Sequence, residues 1–484
     1  MKRILPLLLA PIICSAKDEV PDYKTMNVSE VFMNLCAGCH GKDMTGGQGT
    51  SLVDGEWDHG DTDNAIFQTI LKGNLELGMT PWEGILTDKQ IRSLVILIRE
   101  KEKEAIANGI NFPEPEVGKL VETELENYQI EMVVDEGLKI PWSISFLPDG
   151  RKLVTEKEGR LRIVNADGTL DPQPVAGTPE VIVHGQGGLM EVAVHPDYET
   201  NGWIYLAYAD GWRDKPDKNN KKDKKGKAHA ITAIVRGRIK DHQWTDQEEI
   251  WKADKKFYGS SGVHFGTRIV FDKGYLYFIV GERGGNMEAQ DLKNPKGKIY
   301  RLFDDGTEPK DNPFYGKSGI AKGTWTYGHR NPQGMDLDPR DGSLYATEHG
   351  PRGGDELNWI RPGLNYGWPV ITYGMNYNGT PLSDLTTKEG MEQPVIHWTP
   401  SIAACGLAFY SGDKFPAWEN DLFVGALKQQ EIRRLRIKDR QVMEQEVILK
   451  NIGRIRDVRS GPDGYLYVVL NDPDKVIRLI PANN

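Results

Sequence analysis

SISFLPDGRKLVTE, residues 143–156, reads as an alternating apolar strand, a Pro-Asp-Gly turn and a second apolar strand. The same figure closes the chain at residues 457–470, DVRSGPDGYLYVVL. Variants of it stand at His195-Pro196-Asp197, Phe271-Asp272-Lys273-Gly274, Pro339-Arg340-Asp341-Gly342 and Ser411-Gly412-Asp413. Successive aspartates of these turns are 48, 75, 69, 72 and 50 residues apart, a repeat of one hairpin with insertions. Six such turns with strands on both sides predict an all-β, six-bladed β-propeller over residues 125–484. A jelly roll or sandwich is the competing all-β architecture, and six returns of one hairpin fit it poorly.

A chain of 484 residues is too long for one ordinary domain. Hydrophobic content of 38% with 53 Gly and 28 Pro favours turns and short strands over long helices. The net charge of −10 argues against nucleic acid or an anionic membrane as the main partner. Residues 1–16 carry Lys2 and Arg3, then an apolar run from Ile4 to Ile13, then Cys-Ser-Ala. This reads as a signal peptide cleaved after Ala16, which implies a periplasmic or otherwise exported protein. The run is too short to span a bilayer and no other stretch approaches that length, so no transmembrane segment is expected. Cys14 raises lipidation, but Ile13 precedes it where a lipoprotein signal wants a small residue.

The other cysteines divide two and one. Cys36-Ala37-Gly38-Cys39-His40 is the attachment signature of a c-type haem: two thiols for the two vinyl groups and an imidazole for the iron. Val28 to Leu35 forms a short helix leading into it. A class I cytochrome needs a second axial ligand farther on. Met79 in Gly78-Met79-Thr80-Pro81-Trp82 meets that need, with Pro81 stiffening the loop. Met44 lies too close to His40, and Met33 precedes the motif. Thr87 and Gln90 make a capping box for a last helix with Ile91, Leu94, Val95 and Ile98 on one face. Residues 20–108 are thus expected to form a small all-α cytochrome c domain, and residues 109–124, charged and Pro-containing, a linker. Cys405, left alone, reads as a buried small apolar residue. The lysine-rich stretch Lys215 to Lys227 reads as a solvated loop or, more sharply, a docking surface for an acidic redox partner.

A propeller's axial channel gathers loops from every blade, so functional residues should be polar and scattered. Five glycine-flanked segments qualify: Gly185–Gly188, Gly262–Gly266, Gly281–Gly284, Gly328–Gly334 and Glu348–Pro351. With Lys428, Arg454 and Arg456, their cations suggest an anionic ligand bearing several carboxylates.

These segments carry a resemblance. QGGLMEVAVHP (186–196), GHRNPQG (328–334), EHGP (348–351) followed by GGDELN (353–358), and LNYGWP (364–369) resemble the soluble PQQ-dependent sugar dehydrogenases. VHFG (263–266) and GERG (281–284) resemble the aldose sugar dehydrogenase branch rather than the soluble glucose enzyme. The haem domain is an addition those simpler enzymes lack. The resemblance implies roles for matching residues. His264 is the base, Glu282 orients it, and Gln186 contacts both sugar and base. Arg330 and Asn331 flank the quinone's reactive carbonyl, while Lys428, Arg454 and Arg456 hold its carboxylates. Gly350 and Pro351 give backbone carbonyls to the calcium on PQQ, and Glu356 with the backbone of Tyr366 makes a second, structural calcium site. Two departures, Val263 in place of an aspartate and Glu282 in place of a shorter one, remodel the sugar pocket, so glucose itself is not implied.

The implied reaction is oxidation of an aldose at its anomeric carbon to the lactone. His264 takes the hydroxyl proton and PQQ the hydride, with Ca²⁺ polarising the quinone and Arg330 stabilising the developing charge. Electrons pass to the haem and then to an external acceptor such as a cytochrome or quinone. Two other readings remain at this point: a calcium-dependent lactonase-type hydrolase, which needs neither the cationic set nor a haem, and a non-catalytic ligand-binding propeller.

Overall fold

The computed structural model describes residues 23, 26–109, 115–216 and 225–482. The signal-peptide reading, Cys14 and most of the lysine-rich stretch lie outside the described residues.

Six antiparallel sheets follow one another along the chain and form the anticipated propeller. Blade one has three strands, Pro141–Phe146, Lys152–Glu156 and Arg160–Val164. Blades two to five have four each and begin at Leu189, Ile269, Pro332 and Ala404. Blade six is built from both ends of the chain. Its strands Arg454–Ser460, Leu466–Asn471 and Lys475–Pro481 are completed by the earlier strand Tyr128–Val134, with Leu120–Val121 outside it. The register Tyr128↔Pro481, Ile130↔Leu479 and Met132↔Ile477 closes the ring.

The first strands of successive blades contact one another around the ring and so line its axis. Each of the six turns read from the sequence joins a blade's first strand to its second. All six therefore lie at one end of the propeller. The opposite end is formed by the chain entering each first strand and leaving each second strand. Between blades the sheets pack face to face through apolar clusters such as Leu153, Ile163, Val192 and Leu206, or Tyr345, Leu357, Leu407 and Val424. Their strands are buried on both faces and so lack clean alternation.

Among the described residues the amino-terminal domain has four α-helices: α1 (Val28–Leu35), α2 (Ala37–His40), α3 (Asp63–Lys72) and α4 (Asp88–Gly109). Helix α1 starts in a capping box. Asn27 Oδ1 accepts from the Glu30 amide at 3.0 Å, and Glu30 accepts from the Asn27 amide at 3.3 Å. Thr62 caps α3 through the Ala65 amide. At α4 the Thr87 amide donates to Gln90 Oε1 at 2.9 Å, the half of the capping box formed by the glutamine. Ile91, Leu94, Val95 and Ile98 are buried against Val31, Phe32, Ile66 and Ile70. Met375 of the propeller joins the same apolar cluster, so the helical domain is packed on the ring rather than held only by its linker.

Ile130 and Leu479 face each other across the closing pair and are both buried. Leu479→Ala should cost about 2–5 kcal/mol. In urea unfolding followed by tryptophan fluorescence, its effect and that of Ile130→Ala should fall short of additivity by about 0.5 kcal/mol or more. Strict additivity would mean the ring is not closed by this pair.

Candidate functional site

The end of the propeller opposite the six turns collects the scattered residues read from the sequence. Gln186, His264 and the pair Arg330–Asn331 immediately precede the first strands of blades two, three and four, and Arg454 and Arg456 begin that of blade six. Glu282, Gly350–Pro351 and Lys428 follow the second strands of blades three, four and five. In an antiparallel hairpin these two positions are side by side, so five blades contribute to one rim.

His264 has φ 55°, a left-handed conformation uncommon outside glycine. Three contacts hold it. Its amide donates to Gln186 Oε1 at 2.7 Å, the Arg283 amide donates to its carbonyl, and its Nδ1 donates to Glu282 Oε1. Gln186 is itself fixed by its amide bond to the Gly262 carbonyl at 2.7 Å. Gly185 has φ 57°, and a Cβ there would collide with that same Gly262 carbonyl, which explains the glycine. With Nδ1 committed to a carboxylate, Nε2 carries the lone pair. Burial, then the charges of Arg330 and Arg283, push the imidazole's pKa below its usual value against the pull of Glu282. Burial opposes ionisation of Glu282. Its bonds with His264 and the Asn286 amide, and the Arg330 charge, outweigh that and hold it low. The pair at neutral pH is a neutral base beside a carboxylate.

Blade four supplies the other wall. Buried Glu348 receives the Arg330 amide, the Asn331 amide at 3.1 Å and His329 Nδ1 at 3.1 Å. Arg330 Nη1 donates to the carbonyls of His349 (2.9 Å) and Gly350 (2.7 Å), with its guanidinium over the Trp368 ring. Asn331 Oδ1 accepts from the Gly266 amide at 3.1 Å, tying this wall to the His264 loop. Arg456 reaches Gln333 Oε1 and Asn471 Oδ1, both at 3.2 Å, and stacks on Trp142. Cys405 is buried, as expected, and its thiol lies against the Arg456 carbonyl at 3.0 Å.

Several buried side-chain nitrogens here have no partner among the described residues: Arg330 Nε, Asn331 Nδ2, His349 Nε2 and Trp368 Nε1. Buried polar atoms in a folded chain are normally paired. Unpaired donors beside Arg330, Arg454 and Arg456 suit an anionic, acceptor-rich group, so the residues fit a carboxylated quinone. His349 is a site residue the sequence reading quoted without a role. Burial and the neighbouring Arg456, Arg330, His264 and Arg454 depress its pKa strongly, keeping it neutral. Lys157 was missed altogether. It follows the second strand of blade one, as Lys428 does in blade five, and burial and Arg456 lower its pKa. Alignment of the blade ends, rather than any motif, would have found it. Conversely, the charge in the 281–284 segment is structural: Arg283 donates to the carbonyls of Ser261, Val263 and Ala230 over the Phe265 ring.

The residues put forward for calcium are also placed. Gly350 donates its amide to Asp355 at 2.8 Å while its carbonyl takes Arg330. Pro351 is buried beside it. Glu356 accepts from Asn358 at 3.1 Å, and burial and Glu348 push its carboxyl up to about 8. Crowded carboxylates of that kind fit a hard cation. The ring of Tyr366 stacks on His329, and its amide donates to Tyr327 at 2.8 Å. Among the described residues, no cluster of three His, Cys, Asp or Glu side chains forms a metal site.

In the helical domain, the thiols of Cys36 and Cys39 form no disulfide among the described residues. His40 Nδ1 bonds the Thr50 carbonyl at 2.9 Å, which leaves Nε2 for a metal, and the ring packs against Gly49. The Met79 loop is pinned by reciprocal bonds with Asn74 at 2.8 and 2.9 Å. Met79 joins the apolar cluster that contains Cys36, Trp57, Leu71 and Trp82, while Met44 is buried among the core residues. These groups fit a covalently held haem.

The glucose/sorbosone dehydrogenase family matches residues 138–478. The cbb3-type cytochrome c oxidase subunit III family matches residues 24–98. The aldose sugar dehydrogenase YliI of Escherichia coli K12 is 42% identical over 359 residues, spanning 72% of this chain and 92% of the relative. A crystal structure of the apo-form of the E. coli soluble aldose sugar dehydrogenase superposes with a TM-score of 0.66 at 39% identity, covering 73% of this chain and all of that one. The PQQ-bound aldose sugar dehydrogenase of Streptomyces coelicolor superposes with a TM-score of 0.58 at 25% identity, covering 73% and 98%.

Because Glu348 holds two amides and an imidazole of this wall, Glu348→Gln should lower the unfolding free energy by about 1.5–3 kcal/mol with the far-ultraviolet circular dichroism unchanged. A change within about 0.5 kcal/mol in urea would show that the carboxylate's charge is not what organises the wall.

Proposed function

The chain belongs to the glucose/sorbosone dehydrogenase family and carries a cytochrome c domain at its amino terminus, and from that premise we propose that it is a PQQ-dependent quinohaemoprotein oxidising aldoses to lactones. The observation that carries the reading is the set of buried nitrogens of Arg330, Asn331 and His349, without a partner among the described residues, near a neutral His264 that Glu282 orients. In this reading residues 20–108 form the haem domain and residues 125–484 the dehydrogenase, with 109–124 between them and residues 1–16 a leader for export to the periplasm.

PQQ, when bound, supplies a quinone that accepts two electrons as hydride, and haem c accepts electrons singly. The chain's own residues do the rest. His264 Nε2 accepts the proton of the anomeric hydroxyl, and the imidazolium so formed is stabilised by Glu282, already hydrogen-bonded to Nδ1. Gln186 fixes the His264 backbone and offers its amide to the sugar. Arg330 and Asn331 direct donors at the acceptor side, while Lys428, Arg454 and Arg456, with Lys157 and His349, hold carboxylates. Ca²⁺ would be held by the carbonyls of Gly350 and Pro351, where it supplies Lewis acidity, and by Glu356 with the Tyr366 main chain. Cys36, Cys39, His40 and Met79 would hold the haem.

The test is titration of the protein with PQQ in Ca²⁺, followed by an aldose. The haem should be reduced only after all three are present. Turnover of a lactone without PQQ would indicate a hydrolase instead. His264→Ala should retain PQQ binding and lose about 10²-fold or more of sugar-driven haem reduction. Met79→Ala should leave turnover with a dye acceptor largely intact.

The pH dependence has a definite sign. His264 acts as a base only when neutral, and its pKa is depressed, so kcat/KM should rise with pH through an inflexion below about 6.5 and be flat at neutrality. An inflexion at or above that value would remove His264 as the group reported.

A further inference from the structure

Helix α4 uses two faces. Ile91, Leu94, Val95 and Ile98 face the haem domain's core, whereas residues 89, 92, 96, 100 and 103 form a second stripe at helical spacing along the propeller. Lys89 pairs with Asp384 at 2.9 Å, and Arg92 donates to the carbonyls of Ser383 (3.2 Å) and Asp384 (2.9 Å). Ile96 packs on Gly353, where an added Cβ would lie 3.2 Å from its side chain. Glu100 takes Arg352 in a forked pair, Nη2 to Oε2 at 2.6 Å and Nε to Oε1 at 3.2 Å. Lys103 stands 3.8 Å from Glu431, and beyond it the seam opens into a cavity of about 420 Å³ lined by Arg99, Glu102, Lys103, Trp398 and Arg433.

These contacts are unequal. Asp384 is exposed, so its pair with Lys89 is worth little, and the Lys103 pair is long and borders the open cavity. The Glu100–Arg352 pair is bidentate and shielded, with Glu100 11% and Arg352 23% exposed. Its place is also particular. Arg352 is two residues past Gly350, whose carbonyl receives Arg330, and Lys428 Nζ lies 3.8 Å from Glu100. A chain of contacts therefore runs from the rim through the loop 350–354 into α4.

We propose that Glu100 is a positioning residue that docks the haem domain on the rim loop 350–354, so that electron transfer from the propeller's cofactor to the haem depends on its ion pair with Arg352. The inference rests on the quinohaemoprotein reading. Oxidation of one aldose to its lactone yields two electrons and two protons. The electrons pass singly, each reducing one ferric haem to ferrous, the protons go to solvent, and an external one-electron acceptor restores ferric iron between transfers.

The test uses the full chain loaded with haem, PQQ and Ca²⁺. Stopped-flow absorbance follows haem reduction by an aldose, and a dye that takes electrons directly from the propeller measures sugar oxidation alone. Glu100→Gln should slow haem reduction by about ten-fold or more while dye-linked turnover stays within about two-fold. The exchanged pair Glu100→Arg with Arg352→Glu should restore most of the haem rate, which a merely structural loss would not allow. Deuterium exchange at residues 92–103 and 350–354 should be faster by about five-fold in Glu100→Gln, with or without substrate. Haem reduction at the wild-type rate in Glu100→Gln overturns the proposal, as does parallel loss of both activities without rescue by the exchange. If the loaded wild type oxidises no aldose, the functional reading fails, and the exchange data still decide the docking: unchanged protection overturns it.

Discussion

Closure of the ring by the pairing of Tyr128–Val134 with Lys475–Pro481 is the constraint on which the rest depends. Each blade contributes only a few polar side chains at its rim, and no blade holds the whole set. His264 and Glu282 come from blade three, Gln186 from blade two, Arg330 and Asn331 from blade four, and Arg456 from blade six. Their separations are fixed only because the first strands touch all the way round. The closing strands are accordingly among the most buried: Tyr128, Val476, Ile477 and Leu479 are fully enclosed.

The rim's electrostatics follow from that geometry. Arginines from blades four and six converge on a surface where burial makes unpaired charge costly. The chain compensates by keeping both site histidines neutral and by drawing Glu282 and Glu348 beneath the rim as anchors for backbone and imidazole. Polar atoms left over point to a ligand that must bring its own acceptors. The departure at Val263 fits the same logic. It is over a third exposed and adds no charge to the rim.

Local signals in the chain were legible because their physics is local. The haem attachment motif, the helix Val28–Leu35, the caps at Thr87 and the six Asp-bearing turns all concern residues a few positions apart. Most residues gathered at the rim were legible through glycine-flanked segments, since Gly185 is needed where two backbones cross. What escaped was set by distant partners. Arg283 reads as a free cation until three carbonyls from the loop 261–263 and Ala230 are seen around it. Lys157 has no motif and gains meaning only from its position at a blade end. The outer stripe of α4 carries no local sign of its partner, because Arg352 lies some 250 residues away in sequence and nothing near Glu100 announces it.

The central claim is that the buried nitrogens of Arg330, Asn331 and His349, without partners among the described residues, form one side of a cofactor site near His264. Difference density from crystals grown with PQQ and Ca²⁺ tests it most directly. The account predicts planar density whose acceptor atoms lie within hydrogen-bond distance of Arg330 Nε, Asn331 Nδ2 and His349 Nε2. Density bound elsewhere, with those three atoms still unpaired, would contradict it.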